Sequence, residues 1–564
     1  MQSTLIGRVK WVVCARSPER DRVKKTVGQL SELKIDEIVM EQYDERNKTM
    51  PKKQIAAIDV GSHSIQMKVG EINRKGEFRE LDHFYKTTTL GRDTFTTGKI
   101  SFASVDKLCE LLEVFSRVIK DYQITHYKAV ATSALREAGN KDYIIDQVKQ
   151  KTGIDITVLS NSEEQFYHHR AIKSRMPEID KILAENTLMI ALGAGSIQIT
   201  AYHNQTLNST QNIKIGALRL REVFGMLENE LLDYQTVIEE YIKANLDAID
   251  IFQEKLTYKN LIVVGGEIEL LNRIQQKFLK NTEARLQIPD FDKLRQLLMS
   301  QSVVGLAEQY DVAYERAEIL HPIMLLLDNV IKQVGTEQII LSEIGLNDGI
   351  IDELHEEIYS LTSKTTYAGD ILENARELAR RFYYHERHQK TLEDYASFLF
   401  QKTRRVHGMH EEELLLRTSI ILQDVGKSID QSNHAIHSYH IIKALEILGL
   451  SEREVNIIAQ VAGYHTDSRP KFLDNDYRLL PQPDRILISK LTAIIGLANA
   501  LDKSHQRKYE LESVSLKNKD LVIRATTRFL SNTTLEEWSF KGKAEFFKEV
   551  FGVMPILKIK KEYK

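Results

Sequence analysis

The stretch Ile58-Asp59-Val60-Gly61-Ser62-His63-Ser64 decides how the first half of this chain is read. It closes a short β-branched run, 55–60, and a second strand-like run, 64–69, follows at once. The pair reads as a hairpin around a Gly-Ser turn. An aspartate ending a buried strand beside a turn of backbone N–H groups and hydroxyls can cradle phosphate oxygens and hold a hydrated cation. Alone, Asp-x-Gly-Ser is also a common turn. Further along, Leu188-Met-Ile-Ala-Leu-Gly193-Ala194-Gly195-Ser196 is again a strand running into small residues, and a third strand ends at Val264-Gly265-Gly266. Three strand-to-glycine turns far apart in sequence suit two facing lobes that close on a phosphate chain.

Other short buried-strand candidates are 127–131, 155–159, 187–192, 198–202, 261–264 and 338–341, several separated by helical stretches. This pattern predicts α/β architecture over about 54–354. Stretches 367–400 and 411–421 have apolar residues at three- and four-residue spacing and predict helices. From about residue 508 the chain turns mixed, with strand-like alternation at 521–527 and a terminal helix near 543–551. In the first 50 residues, 10–15 is strand-like and 16–34 is a charged helical stretch. They fit either a small appended element or a start placed upstream of Met50. The expected domains are 1–52, an extension; 53–180 and 181–354, two lobes; 355–490, helical; and 491–564, a small α+β domain.

Ordered motifs add a family resemblance. Asp59-Val-Gly-Ser-His-Ser resembles the Asp-Leu-Gly-Ser-Asn-Ser loop of the exopolyphosphatase/guanosine pentaphosphate phosphohydrolase family. Ala131-Thr-Ser-Ala-Leu-Arg136-Glu-Ala-Gly-Asn140 is similar to its Ala-Thr-x-x-x-Arg-x-Ala-x-Asn segment, and Val158-Leu-Ser-Asn-Ser-Glu163-Glu164 to its Ile-Ser-Gly-x-Glu-Glu segment. Ile215-Gly216-Ala-Leu-Arg219 matches a Gly-x-Val-Arg-Leu segment. The likeness runs over about 53–564. It implies two actin-like, ribonuclease-H-like lobes, a mostly α, HD-like third domain and the small α+β end.

The resemblance also implies the chemistry. Family members remove terminal phosphates from polyphosphate or guanosine pentaphosphate by attack of water on a phosphoanhydride. Such a reaction needs charge neutralisation and an oriented water more than covalent chemistry. By carry-over Glu164 is the catalytic base. Gly61, Ser62, Ser64, Arg136, Gly193, Gly195, Ser196, Arg219 and Gly266 are the phosphate contacts. Asp59 holds the metal, Mg²⁺ or Mn²⁺. Without the family, Glu163 and Glu164 would read as capping residues of a helix after Asn161-Ser162.

This chain departs from the family where metal is held. The second loop has Ala191 and Gln198 where the family has Asp and Glu, and Ile197 and Ala194 where it has Thr and Gly. Asn347 replaces an arginine. In the helical region, Leu422-Gln423-Asp424-Val425-Gly426 resembles Leu-His-Asp-x-Gly, so the HD-like set His388, Asp424, His437 and His465 has lost the histidine of its name-giving pair. Two readings stay open: an exopolyphosphatase-type hydrolase, or a weakened or inactive homologue that binds polyphosphate or (p)ppGpp as a regulator.

Composition sets the frame. At 564 residues the chain exceeds a single core and calls for about three to five domains. Hydrophobic residues at 42% and charged residues at 28% are those of a globular protein. No apolar run reaches the ~18 residues that cross a bilayer, and residues 1–10 lack a signal-peptide core. Two cysteines, Cys14 and Cys109, exclude a disulfide scaffold and a thiolate zinc site. A net charge of −3 excludes a chain-wide basic surface, so a polyanion must be held in a local groove. The expectation is a cytoplasmic protein acting on inorganic polyphosphate or guanosine pentaphosphate, with neither DNA nor membrane as partner. A homodimer is implied by the resemblance alone.

Overall fold

The computed structural model describes residues 12–13, 52–225, 234–253, 256–265, 267–280, 284–359, 367–466, 470, 475–518, 520–528 and 532–562. The charged stretch 16–34 and Gly266 lie outside them. The described residues form two compact units, one made of those up to 205 with those from 210 to 359, the other of those from 367 onward with the short stretch 206–209.

Among the described residues the first unit holds two six-stranded sheets, save that the 206–209 end of one strand is counted with the second unit. In chain order the first contains β1 (Val12–Val13), β2 (Lys53–Val60), β3 (Ser64–Ile72), β4 (Phe78–Thr87), β5 (His126–Ala131) and β6 (Ile156–Val158). Its spatial order is β1-β4-β3-β2-β5-β6. The β2–β3 and β3–β4 pairs are antiparallel, whereas β5 joins β2, and β6 joins β5, in parallel. The second sheet contains β7 (Thr187–Leu192), β8 (Ile197–His203), β9 (Thr206–Ile213), β10 (Asn260–Gly265), β11 (Arg285–Gln287) and β12 (Gln338–Ser342), in the order β11-β12-β10-β7-β8-β9. Removing the edge strands β1 and β11 leaves one order twice: 4-3-2-5-6 and 9-8-7-10-12. A hairpin and a third strand are followed by two parallel crossover strands. That doubled ribonuclease-H-like order is the actin-like arrangement.

The strands form where β-branched and aliphatic runs are buried on both faces, as parallel sheets require. Leu261, Ile262, Val263 and Val264 of β10 are all buried, as are Leu188, Met189 and Ile190 of β7. Strand β4 was not expected. Its residues are mostly half-exposed, so its apolar and polar positions do not alternate. The strand-like 10–15 contributes β1, which pairs antiparallel with Phe84 and Tyr85 of β4.

One helix ties the end of the unit to its beginning. Leu346–Ile358 buries Leu346, Ile350, Ile351 and Leu354 against Ile55, Ala57, Ile72 and Val130 of the first sheet. Each such side chain contributes about 1.5–3 kcal/mol of gross burial energy. Gly349 lets this helix touch Asn161–Arg175, because a Cβ there would sit 2.3 Å from the Tyr167 carbonyl oxygen. The helix therefore runs through the expected 354/355 boundary.

The second unit opens with helices Ala368–Arg380 and Glu386–Lys402, so the expected run 367–400 is broken at 381–385. Helices Glu413–Leu422, His434–Ala444, Glu452–Tyr464 and Gln482–Leu501 follow. The last crosses the expected 490/491 boundary, burying an unbroken run from Leu491 to Leu501 save Asn499. The chain ends in β13 (Tyr509–Lys517), β14 (Asp520–Arg528), helix Thr534–Phe551 and β15 (Met554–Glu562), with β14 parallel to β15. Among the described residues no helix is long and apolar enough to cross a membrane.

Candidate active site

A cavity of about 340 Å³ lies in the first unit where its two sheets present their hairpin turns. The β2–β3 and β7–β8 hairpins have the same build. Val60 pairs with Ile65 and Leu192 with Ile197, leaving four-residue turns Gly61–Ser64 and Gly193–Ser196. In each, the first glycine's N–H donates to the last serine's carbonyl at 2.9 Å. A Cβ on Gly61 or Gly193 would lie 2.7 or 2.6 Å from that carbonyl oxygen, so both turns need glycine. Asp59, Gly61, Ser62, Ser64, Glu164, Ala191, Gly193, Ser196, Gln198 and Asn347 all line the cavity.

Glu164 sits in the first turn of the helix Asn161–Arg175. Ser160 and Glu163 form a reciprocal capping box there, which fixes where the helix starts. The two adjacent glutamates thus divide their work: Glu163 caps, and Glu164 faces the cavity. Arg136 Nη1 donates to Glu164 Oε2 at 2.9 Å and to the Leu159 carbonyl at 2.8 Å.

Asp59 is partly exposed to the cavity, yet its Oδ1 is sealed from solvent and has no hydrogen-bond partner. Burial, and then the charge of Glu164, push its carboxyl up from 3.8 to about 7. Gln198 Oε1 and Asn347 Oδ1 are buried, unpartnered oxygens of the same cavity. Three oxygen acceptors without donors suit a hard divalent cation, which takes carboxylate and amide oxygens.

Several expected phosphate contacts are engaged elsewhere. Arg219 does not line the cavity. Its Nη2 donates to Glu137 at 2.8 and 2.9 Å, its Nε to the Gly195 carbonyl at 2.7 Å, and its guanidinium lies over the Phe95 ring at 4.1 Å. Arg136 serves Glu164 as described. Ser62 Oγ accepts from the Ala134 N–H and bonds Ser133 Oγ, both at 2.8 Å, so this hydroxyl holds the turn. Gly195 packs against Phe95 and Ser133.

Sequence reasoning missed most of the cavity's charge. Its lining includes Asp59, Glu80, Glu164, Glu267, Glu269, Glu343 and Asp348, against Lys68 as its only lysine or arginine among the described residues. Lys68 is paired with Asp348 at 3.0 Å. Glu267 accepts from Arg316 Nε and Tyr85 Oη, both at 2.9 Å. The signal for Glu267 and Glu269 was the Gly265-Gly266-Glu267-Ile-Glu269 run after the third strand.

The helical unit assembles part of the expected HD-like set and corrects the rest. Asp424 and His465 come together, joined by His434 in place of His437. His388 instead bonds Asp502 through Nδ1 at 2.8 Å and stacks on His505.

A doubled ribonuclease-H-like fold with glycine-serine turns around a carboxylate-lined cavity defines an actin-like architecture. Comparison with known proteins places it more narrowly. The Ppx/GppA phosphatase family profile matches residues 71–357, and that family's domain III profile matches 373–544. The chain belongs to the Ppx/GppA phosphatase family. It is 24% identical to a bifunctional 3-dehydroquinate synthase/phosphatase of Fusobacterium nucleatum, over 58% of this chain and 50% of that protein. The chain thus spans about half of that relative. It is 20% identical to a guanosine-5′-triphosphate,3′-diphosphate pyrophosphatase of Photobacterium profundum, over 89% of this chain and 97% of the other. The crystal structure of an exopolyphosphatase from Cytophaga hutchinsonii aligns with 54% of this chain and 98% of its own, at 22% identity and a TM-score of 0.49.

Proposed function

We propose that the first unit hydrolyses a terminal phosphoanhydride bond of inorganic polyphosphate, with Glu164 as the base that orients the water. The carrying observation is that Glu164 and the unpartnered Asp59 carboxylate face one cavity between two glycine-serine turns. Arg136 occupies Oε2 of Glu164, which leaves the other oxygen to accept the water's proton. The attacked phosphate would lie against the amides that follow Gly61 and Gly193 in the two turns, since the glycine N–H groups are themselves bonded within the turns. Asp59, with the amide oxygen of Gln198, would hold Mg²⁺ or Mn²⁺. A bound cation supplies charge neutralisation for the phosphates and for the carboxylates around them.

The excess of acidic groups makes the cation more than an accessory. Without it, a phosphate chain meets like charge in a partly desolvated space, where repulsion is screened least. Turnover is therefore expected to require a divalent cation. The test is phosphate release from long-chain polyphosphate, and in parallel from guanosine pentaphosphate, with and without Mg²⁺, beside Glu164→Gln. Release that the variant keeps would overturn the assignment of the base.

A second reading has its own support. Ala191 and Asn347 line the cavity where the family resemblance has an aspartate and an arginine. A regulator that binds polyphosphate or (p)ppGpp without cleaving it fits those losses. Cation-dependent polyphosphate binding with no release would favour it.

A further inference from the structure

In the helical unit three side chains from three segments converge. Asp424 precedes the tight turn Val425–Ser428, His434 begins the helix His434–Ala444, and His465 follows the helix Glu452–Tyr464. One ligand atom from each lies within 4.8 Å of the others. The two Nε2 atoms are 3.2 Å apart, and they stand 3.5 and 3.7 Å from Asp424 Oδ1.

The tautomers follow from the other ring nitrogens. His434 Nδ1 bonds the Gln431 carbonyl at 2.9 Å, and His465 Nδ1 bonds the Ala462 carbonyl at 2.5 Å. A carbonyl oxygen only accepts, so both Nδ1 atoms carry hydrogen, and in its neutral form each ring turns an Nε2 lone pair inward. Asp424 is divided in the same way. Its Oδ2 accepts from Lys427 Nζ and Gln389 Nε2, each at 2.9 Å, while Oδ1 faces the two imidazoles. With both rings neutral, two lone pairs and a carboxylate oxygen meet without a hydrogen between them. Histidines oriented through Nδ1–H to a carbonyl, with Nε2 directed at a shared centre, are the usual support for metal ligation.

We infer that Asp424, His434 and His465 form a binding site for a divalent transition metal of the zinc or iron class, separate from the cavity of the first unit. Three protein ligands of the nitrogen and oxygen type suit such metals and leave a fourth position for water. Magnesium, which takes oxygen ligands, is disfavoured by the two imidazoles. Asp424 is buried and His434 half-buried, so the ion would be reached from the His434 side.

The test uses the full chain, stripped with a chelator and then dialysed against Zn²⁺ with Mg²⁺ in excess. Wild type is expected to retain about one more equivalent of zinc than His434→Ala or His465→Ala. His437→Ala, three residues along the same helix and outside the cluster, is expected to retain what wild type does. Equal zinc in all four proteins, or none in wild type, would overturn the site. Should the alanine variants fail to fold, Co²⁺ bound to wild type gives a second reading. Visible absorption of a four- or five-coordinate ion supports the site, and only the faint spectrum of the hydrated ion overturns it. Glu164→Gln is expected to bind zinc as wild type does, so this result stands apart from any failure of the hydrolase assignment.

Discussion

In the β2–β3 hairpin, the residue two before the turn glycine is Asp59, paired across the ladder with Gln66. In the β7–β8 hairpin the same place holds Ala191, paired with Gln198. Turn length, the glycine-to-serine hydrogen bond and the flanking register are otherwise equal in the two. The backbone of a phosphate-type turn is therefore kept by steric and hydrogen-bond demands that do not depend on whether the site carries charge. Of the two hairpins, only the first bears the cost of burying an acid. Its carboxylate is held at about 7 by burial and by Glu164, whereas Ala191 is buried with no polar group to satisfy. On the proposed function the second hairpin supplies a wall and the Gln198 oxygen, while the first, with the helix that carries Glu164, would supply the reactive carboxylates.

The sharpest way to break this division is Glu164→Gln. If the chemistry belongs to the first lobe, phosphate release falls by about 10²–10⁴-fold, the range that positioned proton transfer contributes. Circular dichroism and the thermal midpoint should change little, because the helix start is capped by Ser160 and Glu163. Retained turnover would move the chemistry elsewhere.

Asp59→Asn separates charge from shape. Since the folded carboxyl titrates near 7 and its unfolded value is near 3.8, the native state binds more protons than the unfolded one between those values. Without metal, ionised Asp59 thus opposes folding. The penalty is absent below pH 3.8, grows as pH rises and is full above 7. Metal-free Asp59→Asn should be more stable than wild type at pH 8, by on the order of a few kcal/mol, and equal to it near pH 4. Added Mg²⁺ should raise the wild-type midpoint at pH 8 and leave the variant's unchanged. Denaturant melts at the two pH values check both statements.

A smaller effect tests the shared backbone. Gly193→Ala places a methyl 2.6 Å from the Ser196 carbonyl oxygen, a backbone atom that can yield only if the turn opens. A loss of about 1–3 kcal/mol is expected from such overpacking. Gly98→Ala should cost less at the tip, where no atom lies within 4 Å, although its φ of 74° adds left-handed strain. Urea unfolding of the pair measures the difference.

What was legible in the sequence follows the same line between local and assembled features. Segments 58–64 and 191–198 announce themselves because β-branched runs stop at glycine and serine, a signal contained in adjacent residues. Strand β4 gives no such signal, being half-exposed and lacking alternation. Arg136 and Arg219 look alike as motif arginines, but their roles depend on Glu164 and Glu137, which only the fold brings within 3 Å of them. Glu267 follows a glycine pair in plain view, yet its meaning depends on Arg316 and Tyr85. The choice of His434 over His437 turns on which end of one helix meets Asp424. Three residues along a helix is nearly one turn, and spacing alone cannot make that choice.

Restoring the lost carboxylates asks whether the second hairpin is a wall by necessity or by substitution. Ala191→Asp with Gln198→Glu makes its side chains match the family's loop at those two positions, on a backbone that already has the turn geometry of Gly61–Ser64. In the absence of metal the change adds negative charge to a cavity that already holds Asp59 and Glu164, so the double variant should unfold more readily than wild type at pH 8. With Mg²⁺ the sign reverses, because added carboxylates are ligands for the ion that neutralises them. Half-saturation by Mg²⁺ should then fall on the order of tenfold, with phosphate release rising alongside. A variant destabilised without metal and rescued by it, but no faster, would mean that the second lobe can hold a cation that the reaction does not use. A variant indifferent to metal would mean that the charge difference between the hairpins is not what distinguishes their roles.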